Sequence, residues 1–201
     1  MVMIRYFFLI TILMYFQFTQ AKEKDFLFSF ELKVDTLEML SDSLVYVPTD
    51  LRKINANNNY RRIMKEILSD SLSMIYDFSR IKNLSVVTAP NKQFRLYTWT
   101  LLLGKDEYDY YGFTQYQQKV KKGLFSSAKI ENHVFELNNN SSSIGNDEIA
   151  RLSNDNWMGC IYYNIVPAPK KNDKTFLLLG WDGYSYSSTK KIIEKKFSKK
   201  G

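Results

Sequence analysis

Hydrophobic spacing changes period once along this chain, near Ser85, and that switch restricts the fold more than any composition figure. Before it, Tyr60, Ile63, Met64, Ile67, Leu68, Leu72, Ile75 and Phe78 fall at i, i+3, i+4, i+7 spacing, which lays one apolar stripe along a helix. Leu37, Leu40 and Leu44 repeat that spacing in a segment closed by Pro48. Asn57 to Asn59 are N-cap candidates for the second helix, and Asn83 lies just past its end. After Ser85, β-branched and aromatic residues take over and apolar positions alternate. Strands are predicted near Phe94 to Leu103, Tyr108 to Gln117, Ile130 to Leu137, Trp157 to Val166 and Thr175 to Trp181. Most of the breaks between them are short, which favours antiparallel hairpins because a parallel crossover needs a dozen residues or more. The expected class is α+β: N-terminal helices followed by an antiparallel sheet meander and a short C-terminal helix at Lys190 to Lys196.

The N-terminus has its own logic. Arg5 precedes an apolar run from Tyr6 to Phe16, and Thr19-Gln20-Ala21 supplies the small residues that signal peptidase accepts. Residues 1–21 therefore read as a signal peptide, too short in its apolar part to span a bilayer stably. A charged linker, Lys22 to Asp25, follows, and residues 22–201 read as a single α+β domain. No later stretch approaches eighteen apolar residues, so no membrane span is expected after signal removal. The expected location is outside the cytoplasm, in the periplasm or at the cell surface.

Charge and chemistry exclude several function classes. Lys and Arg outnumber Asp and Glu by 28 to 21, but six of the lysines crowd into residues 190–201 with a single Glu. A terminal charge run on an exported protein argues against a nucleic-acid partner, which would need a basic face. Cys160 has no partner for an internal disulfide and sits in an apolar run, so it reads as a buried, inert thiol. With one His and one Cys in the chain, a zinc site of the usual ligands is excluded, and neither a metal nor a cofactor is expected. His-Glu-x-x-His, Cys-x-x-Cys, Gly-x-Ser-x-Gly and phosphate-cradling Gly loops do not occur.

The candidate ligand-binding residues are Trp99, Tyr110 and Asp182. Asp182 lies in Gly180-Trp181-Asp182-Gly183, a turn sequence as well as a carboxylate beside an indole. Tyr110 belongs to the aromatic and acidic stretch Asp106 to Tyr116, a composition that suits sugar rings and hydroxyls. Alternation places Tyr108, Tyr110, Gly112, Thr114 and Tyr116 on one face and Tyr111 and Phe113 on the other, with one face expected in the core and the other on the sheet surface. His133 shares a strand face with Glu131 and Phe135. The candidate partners are a glycan or an envelope protein. The expected function is an exported, non-catalytic binding or structural module. The alternative is a glycan hydrolase using carboxylates such as Asp109, Asp182 and Glu131, because two carboxylates suffice for that chemistry.

An ordered set of motifs adds to this reading: Tyr76-Asp77-Phe78, Phe94 to Trp99, Tyr110-Tyr111-Gly112-Phe113, Trp157 with Ile161-Tyr162-Tyr163, Leu178 to Gly183, and Lys191-Ile192-Ile193. From about Tyr60 to Glu194 the chain resembles an uncharacterised family of exported proteins from Bacteroidota. The resemblance implies an exported α+β protein and assigns no catalytic or binding residue. It also implies that relatives continue into further strands, so this copy is expected to be truncated at its C-terminus. Asp35-Thr36-Leu37, Asp42-Ser43-Leu44 and Asp70-Ser71-Leu72 are similar to the O-glycosylation acceptor pattern of such exported proteins.

Overall fold

A computed structural model describes residues 2–104, 107–120, 123, 129–144, 153–169, 175–185 and 188–197. The predicted turn residues Lys105 and Asp106 and the segment 170–173 lie outside these. The chain divides into two compact units, Met1–Thr36 and Leu37–Gly201. Helix α1 covers Val2–Tyr46, so the expected linker at Lys22 to Asp25 is helical instead. Lys and Glu are good helix formers and nothing in that stretch breaks a helix. No helix among the described residues is long and apolar enough to cross a membrane.

Within the second unit, helix α2 spans Asp50–Ser69. It starts at Thr49 rather than at the Asn57 to Asn59 caps, because those asparagines are carried inside the helix and Asn57 is buried there. It also ends earlier than the apolar stripe. Asp70 turns the chain by accepting the Leu72 N–H at 2.9 Å, which opens a 3₁₀ turn over Ser71–Met74. Ile75, expected on the buried stripe, is 83% exposed as a result.

The remaining chain is antiparallel sheet, so the α+β class holds. Strands β1 (Ser85–Thr88), β2 (Phe94–Leu103), β3 (Glu107–Val120) and β4 (Lys129–Leu137) form one meander in sequence order. A short helix α3, Ser141–Ile144, precedes a second sheet built from β5 (Ile161–Pro167), β6 (Thr175–Ser185) and β7 (Ser188–Phe197). The expected C-terminal helix is therefore strand β7. Its Lys, Ile and Glu content is compatible with a helix, but β6 offers a continuous row of partners from Thr175↔Phe197 to Asp182↔Lys190 and, past an irregularity, Ser185↔Ser188, and tertiary pairing overrides a weak local preference.

Register decides which residues meet. Tyr97↔Phe113 and Trp99↔Tyr111 share the face of the first sheet that meets α2, where the Tyr60 and Trp99 rings lie 4.9 Å apart. Gln115, on the same face, donates to the Leu68 carbonyl at 2.6 Å and so satisfies an orphan carbonyl of the last helical turn. Arg95 donates to the carbonyls of Ser73 and Tyr76, tying the 3₁₀ turn and the residues after it to β2. The opposite face carries Phe94, Leu96 and Tyr110, which join Trp157, Cys160, Tyr162, Ile165, Phe176 and Leu178 in a core between the two sheets. Both faces of β2 and β3 are thus covered, where one face had been expected on the surface. The close approach is visible at Gly112: a Cβ there would sit 2.7 Å from the Tyr97 carbonyl oxygen.

Candidate functional site

Tyr110 and Asp182 come together between the sheets, from the first part of β3 and from β6. The Tyr110 hydroxyl donates to Asp182 Oδ1 at 2.8 Å and accepts the backbone N–H of Gly183 at 2.6 Å. Burial pushes the Tyr110 phenol well above its ordinary pKa, so it stays protonated as the donor this geometry needs. Trp99 is not part of this group. It lies on the helix side of the first sheet, fully buried, with its indole N–H donating to Asn57 Oδ1 at 2.8 Å. The three candidates therefore divide into an inter-sheet polar pair and a helix-to-sheet plug.

The carboxylates of the hydrolase alternative divide as well. Asp109, opposite Leu101, shares the helix-side face with Tyr111, whose hydroxyl donates to it at 3.3 Å. Glu131, opposite Gln118, lies on the other face of the same sheet with His133, opposite Tyr116. Alternation thus places Asp109 and Glu131 on opposite sides of one sheet.

A second inter-sheet network went unnoticed in the sequence. The Trp157 indole N–H donates to the Tyr162 hydroxyl at 2.9 Å, and that hydroxyl donates to Glu194 Oε2 at 2.6 Å. Cys160 sits beside them, fully buried, and a Cβ on Gly180 would lie 2.6 Å from its sulfur. Burial first, and the Glu194 charge second, push the Cys160 thiol well above its usual pKa, the opposite of what a nucleophile requires. Lys196, two residues beyond Glu194, turns its ammonium over the rings of Phe94 and Tyr116 at 5.7 and 5.6 Å from their centroids. Only the inward alternation Ile192, Glu194, Lys196 could have revealed this group, and that pattern is invisible while the segment is read as a helix. Inward-facing charges on a border strand are a known way of discouraging indiscriminate pairing.

These charges set a pH dependence. Burial pushes the Lys196 amine down to about 8 from 10.5, with the Glu194 carboxylate opposing the shift. Between those values the unfolded chain holds a proton that the folded chain has released, so stability rises with pH across that window. Burial raises Glu194, so its contribution is present below the ordinary value of 4.5 and is lost as pH rises through the higher folded value. Lys196→Met is expected to raise stability at neutral pH by about 1 kcal/mol, allowing for partial exposure, and to flatten the rise above pH 8. Urea denaturation of both proteins across pH 6 to about 10.5 checks this.

Two of the three glycosylation-pattern hydroxyls are engaged by their own helix: Thr36 donates to the Leu32 carbonyl and Ser43 to the Met39 carbonyl. Ser71 is exposed in the 3₁₀ turn. Among the described residues no group of three or more His, Cys, Asp or Glu side chains could hold a metal ion. Compared with family models, curated proteins and solved structures, the chain matches none.

Proposed function

We propose that this chain is an exported, non-catalytic binding or structural module of the Bacteroidota family it resembles, working in the periplasm or at the cell surface once residues 1–21 are removed. The observation that carries the reading is the bonding of Asp182. Its carboxylate accepts the Tyr110 hydroxyl, and the same hydroxyl receives the Gly183 N–H, so the strongest chemical candidate in the sequence closes a turn and joins two sheets. Trp99 and Cys160 support it in the same way, since each is buried among residues it holds in place. The placement of Asp109 and Glu131 on opposite faces removes that pair from the glycan hydrolase alternative, which needs two carboxylates flanking one bond, and Asp182 is bonded to Tyr110. A glycan or an envelope protein is the partner class consistent with export.

A native-host strain carrying Asp182→Ala tests the proposal. The exported protein, beginning at Lys22, is expected to lose its host function only in step with a lowered melting temperature. Loss of function at an unchanged melting temperature would assign Asp182 a chemical role and overturn the reading.

A further inference from the structure

Strand β7 borders its sheet, and among the described residues no strand lies beyond it. It runs for 10 residues, well beyond the usual strand of about five or six, so it offers a long row of backbone donors and acceptors to another strand. The opposite border, β5, is tied to the first sheet: the Ser85 hydroxyl donates to the Tyr162 carbonyl at 2.6 Å, and the Tyr162 N–H donates to the Thr98 hydroxyl at 3.1 Å.

Two side chains of β7 are left incomplete. Glu194 Oε1 is buried yet has no hydrogen-bond partner among the described residues, while Oε2 accepts from Tyr162. A buried carboxylate oxygen without a donor is costly. On the outer face Ile193 is 69% exposed. A strand that completes β7 would bring a cation to Glu194 and apolar carbon to Ile193.

A second copy of this chain brings both, in one register. A two-fold axis perpendicular to the sheet keeps each residue on the same face in both copies, so residues oppose only residues of their own face. Centring the antiparallel pair on Lys190, Lys191, Glu194 or Lys195 sets that charge against its own copy. Centring it on Ile193 sets Lys191 against Lys195 and Lys190 against Lys196. Centres nearer either end leave most of the strand unpaired. Centring it on Ile192 sets no charge opposite its like: Lys190 opposes Glu194, Lys191 opposes Ile193, Thr189 opposes Lys195 and Ser188 opposes Lys196. Lys190 already has a partner in its own chain, but an ammonium carries three donors and can add Glu194 Oε1 of the second copy. The methylenes of Lys191 come beside Ile193. Ile192, which packs against the inter-sheet core, meets its counterpart on the axis and carries that core across the junction.

We infer that two copies of this chain pair antiparallel through β7, centred on Ile192, and join their three-stranded sheets into one continuous sheet. The charges of β7, which discourage indiscriminate pairing, select this register. The inference goes beyond the module reading and does not depend on it.

Sedimentation of the chain beginning at Lys22 is expected to show a reversible dimer, its mass rising toward twice that of one chain with concentration. Lys190→Gln removes the cation from both symmetric pairs and is expected to weaken the dimer at least about fivefold. Cysteine substitutions test the register without touching that charge. Lys191→Cys and Ile193→Cys replace exposed side chains of the outer face, and the native Cys160 is buried. Mixed under mild oxidation, the two variants are expected to give a disulfide-linked dimer, because these positions oppose each other directly. Neither variant alone is expected to cross-link, since each position lies diagonal to its own copy, about 7–8 Å away and beyond a disulfide's reach. A monomer at all concentrations would overturn the inference. So would a disulfide formed by either cysteine variant alone, which would mean another register, or a dimer indifferent to Lys190→Gln. None of these outcomes touches the non-catalytic reading, which fails only on the Asp182 result.

Discussion

Trp99→Ala is expected to destabilise the protein by about 3–5 kcal/mol, the range for deleting a large buried aromatic. The indole is fully buried and bounded on several sides: its ring lies 4.9 Å from Tyr60, 5.9 Å from Phe113, and 6.0 Å from Tyr111 in a stacked pair. Its truncation leaves a void between α2 and the first sheet that a rigid sheet cannot close. It also removes the donor that satisfies Asn57, whose side chain is buried inside a helix and would lose its bond to the indole. Trp99→Phe keeps most of the volume and isolates that second loss, so it is expected to cost less, about 1–3 kcal/mol. Urea denaturation with an unchanged slope measures both. A cost below about 1.5 kcal/mol for Trp99→Ala would mean that the indole is dispensable to the core and available for another role.

The sequence revealed most of the sheet because runs of β-branched and aromatic residues bounded by turn residues mark strands even where both faces are buried, as along β2. The predicted strand Phe94 to Leu103 matches β2 residue for residue, and the division of Tyr108 to Tyr116 between two faces is the observed one. What alternation could not reveal is the number of layers. Covering the second face of β2 and β3 depends on β5 to β7 folding back across them, a long-range event with no local signal. Helix limits were misplaced for a similar reason. A triple Asn is a good cap in isolation, yet Asn57 is retained within α2 by a bond to an indole 42 residues away. At the other end a short side chain, Asp70, ended the helix although apolar spacing continued to Phe78. Of the candidate site, Tyr110 and Asp182 were both chosen, but their mutual contact was not foreseen. Their encounter depends on how the two sheets stack. Glu194 and Lys196 were missed outright, since a Lys-rich stretch around two adjacent isoleucines carries no clear period until β6 pairs with it.

The account rests on Asp182 and Tyr110 serving as a tie between sheets, and stability measurements on that pair test it most directly. Tyr110→Phe keeps the ring and removes one oxygen, leaving the buried Gly183 N–H without its acceptor and the Asp182 carboxylate without that donor. The expected cost is about 2–3 kcal/mol, because an unsatisfied buried donor and a charged hydrogen bond are both involved. In a double-mutant cycle with Asp182→Asn, measured by urea denaturation, the two changes are expected to couple by about 1–2 kcal/mol, since each disrupts the same bond. The contradicting result is additive behaviour with a more stable Asp182→Asn protein, which would mark Asp182 as a carboxylate held at the expense of the fold for some chemical purpose.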